Sequence, residues 1–386
     1  MSLLAGKTKI LVAPNAFKEC AGPVETAELI KNFLLKKADS LNITVIPLSD
    51  GGDGFVDVCN YNYAGKTVRY KIHSLYCNEL IDCPVGYSEQ QKAFYVESAN
   101  TIGLKLIPPA YRQPLLLSSK PMGELLLKIK SDVLNGNYKA EEVIIGIGGT
   151  GTNDMGLGML SLLGLELYNS QTKKLEPIPE NFININSFVW KPVSFPFKIK
   201  LVVDVDNPLT GELGASRVFG PQKGATELDV AKMEEGFLNF ISVIKKIKPE
   251  ILSGKLLGAG GGITAGFTAF LGAQVVFAKD FILNDLGASK HLDADYVITG
   301  EGSFDEQSIG NKGPGVVIDF FAGKNKKIFL ITGSMKGERT RGYLKNVEIE
   351  ELSAFFGSKE ESIRNFRKGV ELALSSVYGK LGLERP

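Results

Sequence analysis

Short β-branched runs alternate with longer segments of helical spacing at the start of the chain. Residues 9–13 form an apolar run that predicts a first strand, and after Pro23 hydrophobic positions recur every three or four residues. Residues 43–48 predict a second strand, and a second helix begins at Phe55. This βαβα order is typical of doubly wound α/β folds.

The pattern changes at about residue 66, where alternating, polar-studded runs predict half-exposed strands of a mixed sheet. Strand–helix alternation resumes near residue 296 and ends in an amphipathic helix over 358–381. At 386 residues the chain exceeds the usual size of a single core. We therefore predict two α/β domains: a discontinuous doubly wound domain of residues 1–70 and 290–386, and an inserted mixed-sheet domain of residues 71–289.

Two segments depart from this alternation. Residues 169–196 are rich in Pro, Asn and Lys without a clear period, which predicts a surface excursion. Residues 256–278 contain no charged side chain and are long enough to cross a bilayer. Six glycines interrupt that second run and no basic cluster flanks it, so it predicts a glycine-rich loop leading into a buried helix.

The charge balance narrows the ligand class. Lys and Arg number 44 against 43 Asp and Glu, a formal charge of +1, which gives no electrostatic reason to expect nucleic acid or a membrane surface as partner. The four cysteines show no C-x-x-C spacing, and the first residues lack a long apolar signal region. Cys77, Cys83 and His73 fit no familiar zinc pattern, so a structural role is favoured for them. These features predict a cytoplasmic protein with reduced thiols and a small-molecule ligand.

Three predicted strands end in residues suited to metal and phosphate. Residues 202–211 and 297–305 each run from a buried strand into carboxylates and glycines, where α/β sheets hold ligands. Residues 143–154 run from a strand into glycines and hydroxyls, and a helix starting after Asn153 would direct free N–H groups at an anion. The spacing matches neither a P-loop nor G-x-G-x-x-G, so this segment alone is more simply a tight turn.

Seven segments in chain order resemble the bacterial type I glycerate kinases. They are APNAFK at 13–18, SDGGDG at 49–54, GIGGTGTND at 146–154, DVDNPLTG at 204–211, FGPQKGA at 219–225, GAGGG at 258–262, and TGEG at 299–302 followed by Asp305, Gln307, Ser308 and Lys312. The resemblance spans nearly the whole chain. It differs at Asn15-Ala16, where the family usually has Asp-Ser, and at Cys20, where it usually has Ser.

The resemblance implies a flavodoxin-like domain built from both chain ends and an inserted domain like a restriction-endonuclease core. It also implies transfer of the ATP γ-phosphoryl group to D-glycerate, giving 2-phosphoglycerate and ADP. Two alternatives stay open: a non-catalytic nucleotide- or metabolite-binding regulator, suggested by the differences at Asn15-Ala16, and a kinase of another small hydroxy acid. D-glycerate is the expected partner, neither nucleic acid nor membrane is expected, and a homodimer remains open.

Residue chemistry within the matching motifs gives the candidate roles. Carboxylates suit Mg²⁺ or can accept a hydroxyl proton, and lysines suit phosphates and the acceptor carboxylate. The catalytic candidates are Lys18, Asp50, Asp204 and Asp305. The ATP-binding candidates are Gly148, Gly149, Thr150, Asn153, Lys223, Gly260, Gly261 and Lys312. The Mg²⁺ candidates are Asp204, Asp206 and Glu301. In isolation, 206–208 could equally be an Asx turn and 50–53 a turn with a helix cap.

Overall fold

A computed structural model describes residues 8–38, 40–310 and 312–381. The strands, in chain order, are β1 Lys9–Pro14, β2 Asn42–Val45, β3 Lys66–His73, β4 Leu80–Ser88, β5 Ala93–Glu97, β6 Glu142–Ile147, β7 Leu165–Tyr168, β8 Lys174–Leu175, β9 Ser187–Trp190, β10 Lys198–Val203, β11 Gln274–Phe277, β12 Tyr296–Phe304, β13 Lys327–Met335 and β14 Val347–Glu351. The helices are α1 Pro23–Lys37, α2 Phe55–Asn62, α3 Ser98–Thr101, α4 Lys120–Leu134, α5 Leu157–Leu162, α6 Ala215–Phe219, α7 Glu227–Ile247, α8 Ile263–Leu271, α9 Ala278–Asp280, α10 Gly313–Ala322, α11 Glu338–Tyr343, α12 Lys359–Arg364 and α13 Phe366–Lys380.

The first compact unit comprises the described residues of Met1–Asp50 and Ala278–Pro386. Its sheet has the order β2-β1-β12-β13-β14, and every neighbouring pair is parallel. Counted along this unit, the order is 2-1-3-4-5, which is the flavodoxin-like arrangement. The strands are nearly continuous apolar runs because both faces of a parallel sheet are buried. The predicted doubly wound domain is confirmed.

Helices cover both faces of this sheet. Helices α1 and α13 pack against each other and share a core with Val12, Ile298 and Phe329. Helix α10 packs beside β1, β12 and β13, and none of its residues belongs to that core. Successive residues of a strand point to opposite faces, so α10 covers the other side. The carboxyl ends of β1 and β12 lie at the switch point of the sheet, where the strand order reverses.

The second unit, Gly51–Phe277, is built on a mixed sheet of order β3-β4-β5-β6-β10-β11. The pairs β3–β4 and β4–β5 are antiparallel, whereas β5, β6, β10 and β11 run parallel. A smaller antiparallel sheet has the order β8-β7-β9. The predicted mixed α/β character is confirmed, while the likeness to a restriction-endonuclease core stays a prediction.

The unit boundaries differ from those predicted at 70/71 and 289/290. Residues 51–70 lie in the second unit because β3 pairs with β4, and α2 packs against β4 and β5. Residues 278–289 lie in the first unit because the π-helical turn Phe281–Asp285 contacts α10. The change in the hydrophobic and polar pattern near residue 66 therefore marks the first antiparallel strand and not the start of the second unit.

Two segments differ in detail from their predicted structure. The expected surface excursion over 169–196 contributes β8 and β9 to the small sheet, and its Phe182 and Phe188 are buried beside Phe237 and Phe240. Strands of two to four residues and a 3-10 turn are too short to show a period, although they bury aromatic rings. The tail helix expected over 358–381 is divided at Asn365 into α12 and α13.

The uncharged segment 256–278 has the predicted structure. A glycine-rich turn leads into α8, which has nine residues, and its Ile263, Phe267 and Phe270 are buried. Across residues 8–38, 40–310 and 312–381, the structure contains no helix that combines the length and the hydropathy needed for a bilayer span.

Candidate active site

The glycine loop of residues 148–154 follows β6 and is held by groups at the end of β5. The Ser98 hydroxyl accepts a hydrogen bond from the Gly148 amide at 2.9 Å and donates one to the Gly148 carbonyl at 2.8 Å. Beyond Ser98, Leu104 N donates to Gly149 O at 2.8 Å, and Gly151 N donates to Ile102 O at 2.7 Å. These contacts fix the backbone of the loop from one side.

Several polar groups of this loop are left without a protein partner. Among the described residues, none accepts a hydrogen bond from the backbone amides of Gly149, Thr150 and Thr152. Thr152 Oγ1 and Asn153 Oδ1 are also buried without a partner. Successive unpartnered amides in a glycine-rich turn form a concave site for anions. The loop therefore has the chemistry needed to receive phosphate oxygens.

A second glycine turn, residues 258–262, packs against the first. Gly260, Gly261 and Gly262 all have left-handed backbone conformations, with φ of 65°, 71° and 82°. A Cβ on Gly261 would lie 2.1 Å from Thr152 O and 2.9 Å from Lys223 Nζ. Only glycine permits this conformation together with such a close backbone approach.

Lys223 lies beneath the two glycine loops with 2% of its surface exposed. Its Nζ donates to Thr152 O at 2.6 Å and to Thr150 Oγ1 at 3.1 Å. Burial lowers the pKa of the Lys223 amine to about 7, and the negative charge of Asp154 opposes that shift. Because it is buried, this predicted ATP-binding lysine acts on the loop from within the protein.

The sequence predicted free N–H groups at the start of a helix after Asn153. In the structure, Asp154 binds the N–H groups at the start of that helix. Helix α5 begins only at Leu157, and the Asp154 carboxylate accepts from the amides of Gly156 and Gly158, each at 3.1 Å. The same carboxylate accepts from Ser119 N and Ser119 Oγ, both at 2.7 Å. Burial raises the pKa of Asp154, although these four hydrogen bonds act in the opposite direction. The unpartnered amides thus belong to the loop and not to the helix.

Asp204 and Asp206 follow β10, the neighbour of β6 in the sheet. Asp204 is half-buried, whereas the Asp206 side chain is 78% exposed and lies 3.9 Å from Lys255 Nζ. Asn207 Nδ2 donates to Leu213 O at 3.0 Å, so this segment also serves as a structured turn. In the described ranges, no three His, Cys, Asp or Glu side chains are grouped to hold a metal ion. The metal roles of Asp204 and Asp206 remain predictions.

A charged network that the sequence did not indicate lies beside the first glycine loop. Glu97, the last residue of β5, accepts from Gly54 N at 3.1 Å and from Lys105 Nζ at 3.3 Å. Lys105 also pairs with Asp53 at 2.8 Å. Burial raises the pKa of Glu97, and Lys105 opposes the shift. An acid at the end of an apolar strand was the signal used for Asp204, and it would have found Glu97 too.

In the first unit, polar groups gather at the switch point between β1 and β12. Glu301 lies on β12, and its buried Oε1 has no hydrogen-bond partner among the described residues. Burial raises the pKa of Glu301 to about 7. The negative charges of Asp50 and Asp305 add to that shift, whereas a Ser308 hydrogen bond and the Lys18 charge oppose it. Four predicted site residues are thus close enough to act on one another electrostatically.

The residues from Asp305 to Gly310 are held by contacts among themselves and with residues outside the segment. Asp305 Oδ1 accepts from Gln307 N at 2.9 Å, and Ser308 Oγ accepts from Asp305 N at 3.3 Å. Tyr343 donates to Asp319 Oδ1 at 2.6 Å, in a pair that abuts Gly310. Lys312 is the residue before α10. Asp305 therefore lies on an organised segment, and Lys312 lies at the start of α10.

Each α/β unit thus carries a polar site at the carboxyl ends of parallel strands. One site offers backbone amides suited to phosphate, and the other offers carboxylates and an exposed lysine, Lys18. Phosphoryl transfer requires mainly such positioning and charge stabilisation. The fold and sites define a phosphotransferase.

The sequence profile of the glycerate kinase family matches residues 10–378, and the chain belongs to this family of ATP-dependent kinases. A glycerate kinase of Halalkalibacterium halodurans is 33% identical over 79% of this chain and 80% of its own. A glycerate 2-kinase of Escherichia coli K12 is 32% identical over 85% of each chain. The crystal structure of a Salmonella typhimurium LT2 protein assigned as glycerate kinase 2 has a TM-score of 0.76 and 30% identity, covering 97% of this chain and all of the other. The predicted resemblance is confirmed.

The predicted site residues divide between the two units. The second unit brings together Gly148, Gly149, Thr150, Asn153, Lys223, Gly260 and Gly261. The first unit brings together Lys18, Asp50, Glu301 and Asp305. Asp206 is an exposed side chain, and the next residue, Asn207, accepts a hydrogen bond from Gly258 N of the second glycine turn at 2.8 Å. The individual roles of these residues remain predictions.

Proposed function

We propose that the protein transfers the γ-phosphoryl group of ATP to D-glycerate in the presence of Mg²⁺, releasing ADP and 2-phosphoglycerate. The observation that carries this proposal is the pair of glycine loops, with unpartnered amides on Gly149, Thr150 and Thr152. Family membership supports ATP as the donor. Backbone amides recognise phosphate without distinguishing the rest of the molecule, so the acceptor assignment draws on the family.

The nucleotide phosphates are assigned to the glycine loops. Loop amides would donate to phosphate oxygens, and Gly261 would allow both loops to approach them because it has no side chain. The Nδ2 of Asn153 already donates to Ser216 and Met233, so its buried, unpartnered Oδ1 would accept from a hydroxyl or amino group of the nucleotide and not bind a phosphate oxygen. Lys312, before α10 in the first unit, is a further candidate for a phosphate contact.

Magnesium is assigned to carboxylates. Hard oxygen donors suit this ion, and the buried unpartnered Oε1 of Glu301 is a free acceptor of that kind. Asp204 and Asp206 are the corresponding candidates at the end of β10 in the second unit. When bound, Mg²⁺ neutralises charge that develops on the phosphate oxygens.

The acceptor is assigned to the side chains near Glu301. Lys18 is exposed and would pair with the glycerate carboxylate. Asp50 or Asp305 would accept the proton of the reacting hydroxyl. Asn15 lies in the same region, since its backbone N donates at 2.8 Å to the carbonyl of Gly300, the residue before Glu301. The amide at this position would orient the acceptor as a neutral group, in place of the acidic residue usual in the family.

Coupled enzyme assays test the proposal. ADP release should depend on D-glycerate, and the product should be consumed by enolase without added phosphoglycerate mutase, because enolase acts on 2-phosphoglycerate. L-glycerate and other small hydroxy acids serve as the comparison panel. Tight ATP binding without turnover on any of these acids would refute the kinase proposal and support a binding regulator.

We further propose a cytoplasmic location, with a homodimer as the candidate oligomeric state. Free thiols at Cys20, Cys59, Cys77 and Cys83 agree with a reducing compartment. Fractionation of cells would check the location. Light scattering of the purified protein would decide the oligomeric state, for which the sequence left a homodimer open.

A further inference from the structure

The hydrogen bonding of Lys223 matches an uncharged amine. An ammonium group has three N–H donors, whereas a neutral amine has two. Lys223 Nζ has two acceptors among the described residues, Thr152 O at 2.6 Å and Thr150 Oγ1 at 3.1 Å. With its side chain 2% exposed, water does not readily solvate a third donor. The free protein therefore favours the neutral form at this position.

The charged groups on the surrounding elements do not reverse that preference. Asp154, at the end of the first loop, acts on Lys223 and is itself satisfied by hydrogen bonds from Ser119, Gly156 and Gly158. The turn 258–262 carries no titratable side chain.

Farther charged groups on the same elements are engaged elsewhere. Glu234 on α7 accepts from Gly211 N at 2.5 Å through Oε1, while its buried Oε2 has no partner among the described residues. Arg112 donates to Ile107 O at 3.2 Å. Arg217 on α6 is exposed. None of these groups is among the charges acting on Lys223. A new negative charge at the loops would thus be the main change that Lys223 experiences.

Lys223 also touches the backbone that would receive an anion. It holds Thr150 and Thr152, whose amides are among the unpartnered donors, and its Nζ lies 2.9 Å from where a Gly261 Cβ would be. A phosphate chain bound to these amides would place negative charge within a few ångströms of the amine. In a poorly hydrated site, such proximity strongly favours the ammonium form.

We propose that Lys223 is a proton-linked positioning residue that, as a neutral amine, holds the first glycine loop by hydrogen bonds beside Gly261 of the second turn. It takes up one proton from solvent when a phosphate chain binds to the loop amides. The inference rests on the proposed nucleotide site and adds to it a coupling between binding and protonation. Binding creates the ammonium, which then stabilises the phosphates without contacting solvent. The proton comes from water or buffer, and no other bond changes.

The coupling has a measurable size. With a pKa near 7 in the free protein, about nine tenths of the Lys223 side chains are neutral at pH 8, so binding should take up about 0.9 proton per nucleotide. Affinity should be about fivefold weaker at pH 8 than at pH 7, and should then fall about tenfold per pH unit until the pKa of the complex is reached.

Isothermal titration calorimetry of the full chain with MgATP tests this inference. Titrations at pH 8 in buffers of different ionisation enthalpy give the number of protons taken up, and MgATP itself is fully deprotonated at that pH. Lys223→Met removes the titrating group and Lys223→Arg keeps a permanent charge, so both should abolish the proton uptake. Lys232→Met, at an exposed lysine on α7, is the matched control and should behave like the native protein.

The outcomes separate the two proposals. Proton uptake near 0.9 in native protein and in Lys232→Met, with none in either Lys223 variant, supports the coupling. MgATP binding whose heat is independent of buffer would overturn the coupling and leave the kinase proposal intact. Undetectable MgATP binding by native protein at pH 7 and pH 8 would overturn both. Persistent uptake in Lys223→Met would assign the proton to another group and reject Lys223.

Discussion

The two units place polar groups at the ends of parallel strands in contrasting ways. The second unit uses backbone amides in glycine loops, packed closely over the buried Lys223. The first unit uses side chains, with Glu301 surrounded by the charges of Asp50, Asp305 and Lys18. A backbone site depends on the position of the main chain, whereas a side-chain site depends on charge.

This difference predicts which substitutions each site tolerates. Adding one methyl group to the glycine loops should displace the main chain and disturb the site geometry. Removing one charge around Glu301 should alter chemistry and leave packing intact, because carboxylate and amide side chains have nearly the same shape. Two kinds of substitution test this difference most directly. One adds a single methyl group to the glycine loops, and the other removes a charge near Glu301 with almost no change of shape.

The largest effect is expected for Gly261→Ala. The new Cβ would lie 2.1 Å from Thr152 O in a left-handed conformation, so both loops must move. A displacement of about 1 Å costs roughly 100-fold in rate, and we expect kcat/KM to fall by at least about that factor. Gly136→Ala is the matched control, with φ of 76° and open space around it. Equal loss in both variants would show that conformational strain, and not loop contact, is responsible.

Glu301→Gln should reduce turnover about 100-fold, in the range found for groups that manage protons or charge in the transition state. Stability in urea should not fall, because Glu301 Oε1 has no partner among the described residues and the substitution removes a buried charge. Glu306→Gln, at an exposed neighbouring residue, should change neither quantity. A marked loss of stability in Glu301→Gln with nearly full turnover would make Glu301 a structural residue.

The sequence predicted the strands, the helices and the order of the motifs better than it predicted the tertiary contacts around them. Buried parallel strands such as β1 and β12 were recognisable because their apolar runs end abruptly in polar residues and glycines, which do not belong in a hydrophobic core. The unit boundary after Asp50 was missed because it falls inside a short glycine segment, where pattern does not change. Burial of Phe182 was missed because it depends on tertiary contact with α7.

At the candidate site, residue types were predictable and their environments were not. The sequence indicated glycine loops and Lys223 through the motifs, but an exposed lysine was the general expectation. Its burial follows from loops that are distant in sequence and meet only in the fold. For the same reason, the sequence predicted a helix starting after Asn153, although the Asp154 carboxylate joins Ser119 to α5.

Asp154→Asn probes the rigidity of the backbone site. The carboxylate accepts four hydrogen bonds while buried, and an amide would present donors to some of the same N–H groups. We expect the free energy of unfolding in urea to fall by about 2–3 kcal/mol. Asp82→Asn, at a half-exposed ion pair with Lys71, should cost less than about 0.5 kcal/mol. Similar stability of the two variants would mean that the loop does not depend on Asp154.

The smallest effect is expected in how the stability of the ligand-free protein depends on pH, which reports whether Lys223 is neutral. The pKa of Lys223 is about 7 in the folded protein against 10.5 for an ordinary lysine. Between these two pKa values the unfolded chain binds more protons than the folded protein, so the free energy of unfolding should rise as pH rises across that window. The same increment is lost as pH falls toward 7. The slope relative to Lys223→Met should approach about 1.4 kcal/mol per pH unit.

Urea unfolding at several pH values from 7.5 to 9 measures this slope, and Lys232→Met provides the comparison with an exposed lysine. A difference between native protein and Lys223→Met that does not vary with pH would show that Lys223 is protonated in the free state. The backbone site would then carry a permanent buried charge, as the carboxylate site does at high pH. The contrast between a neutral amide-lined site and a charged side-chain site would no longer hold.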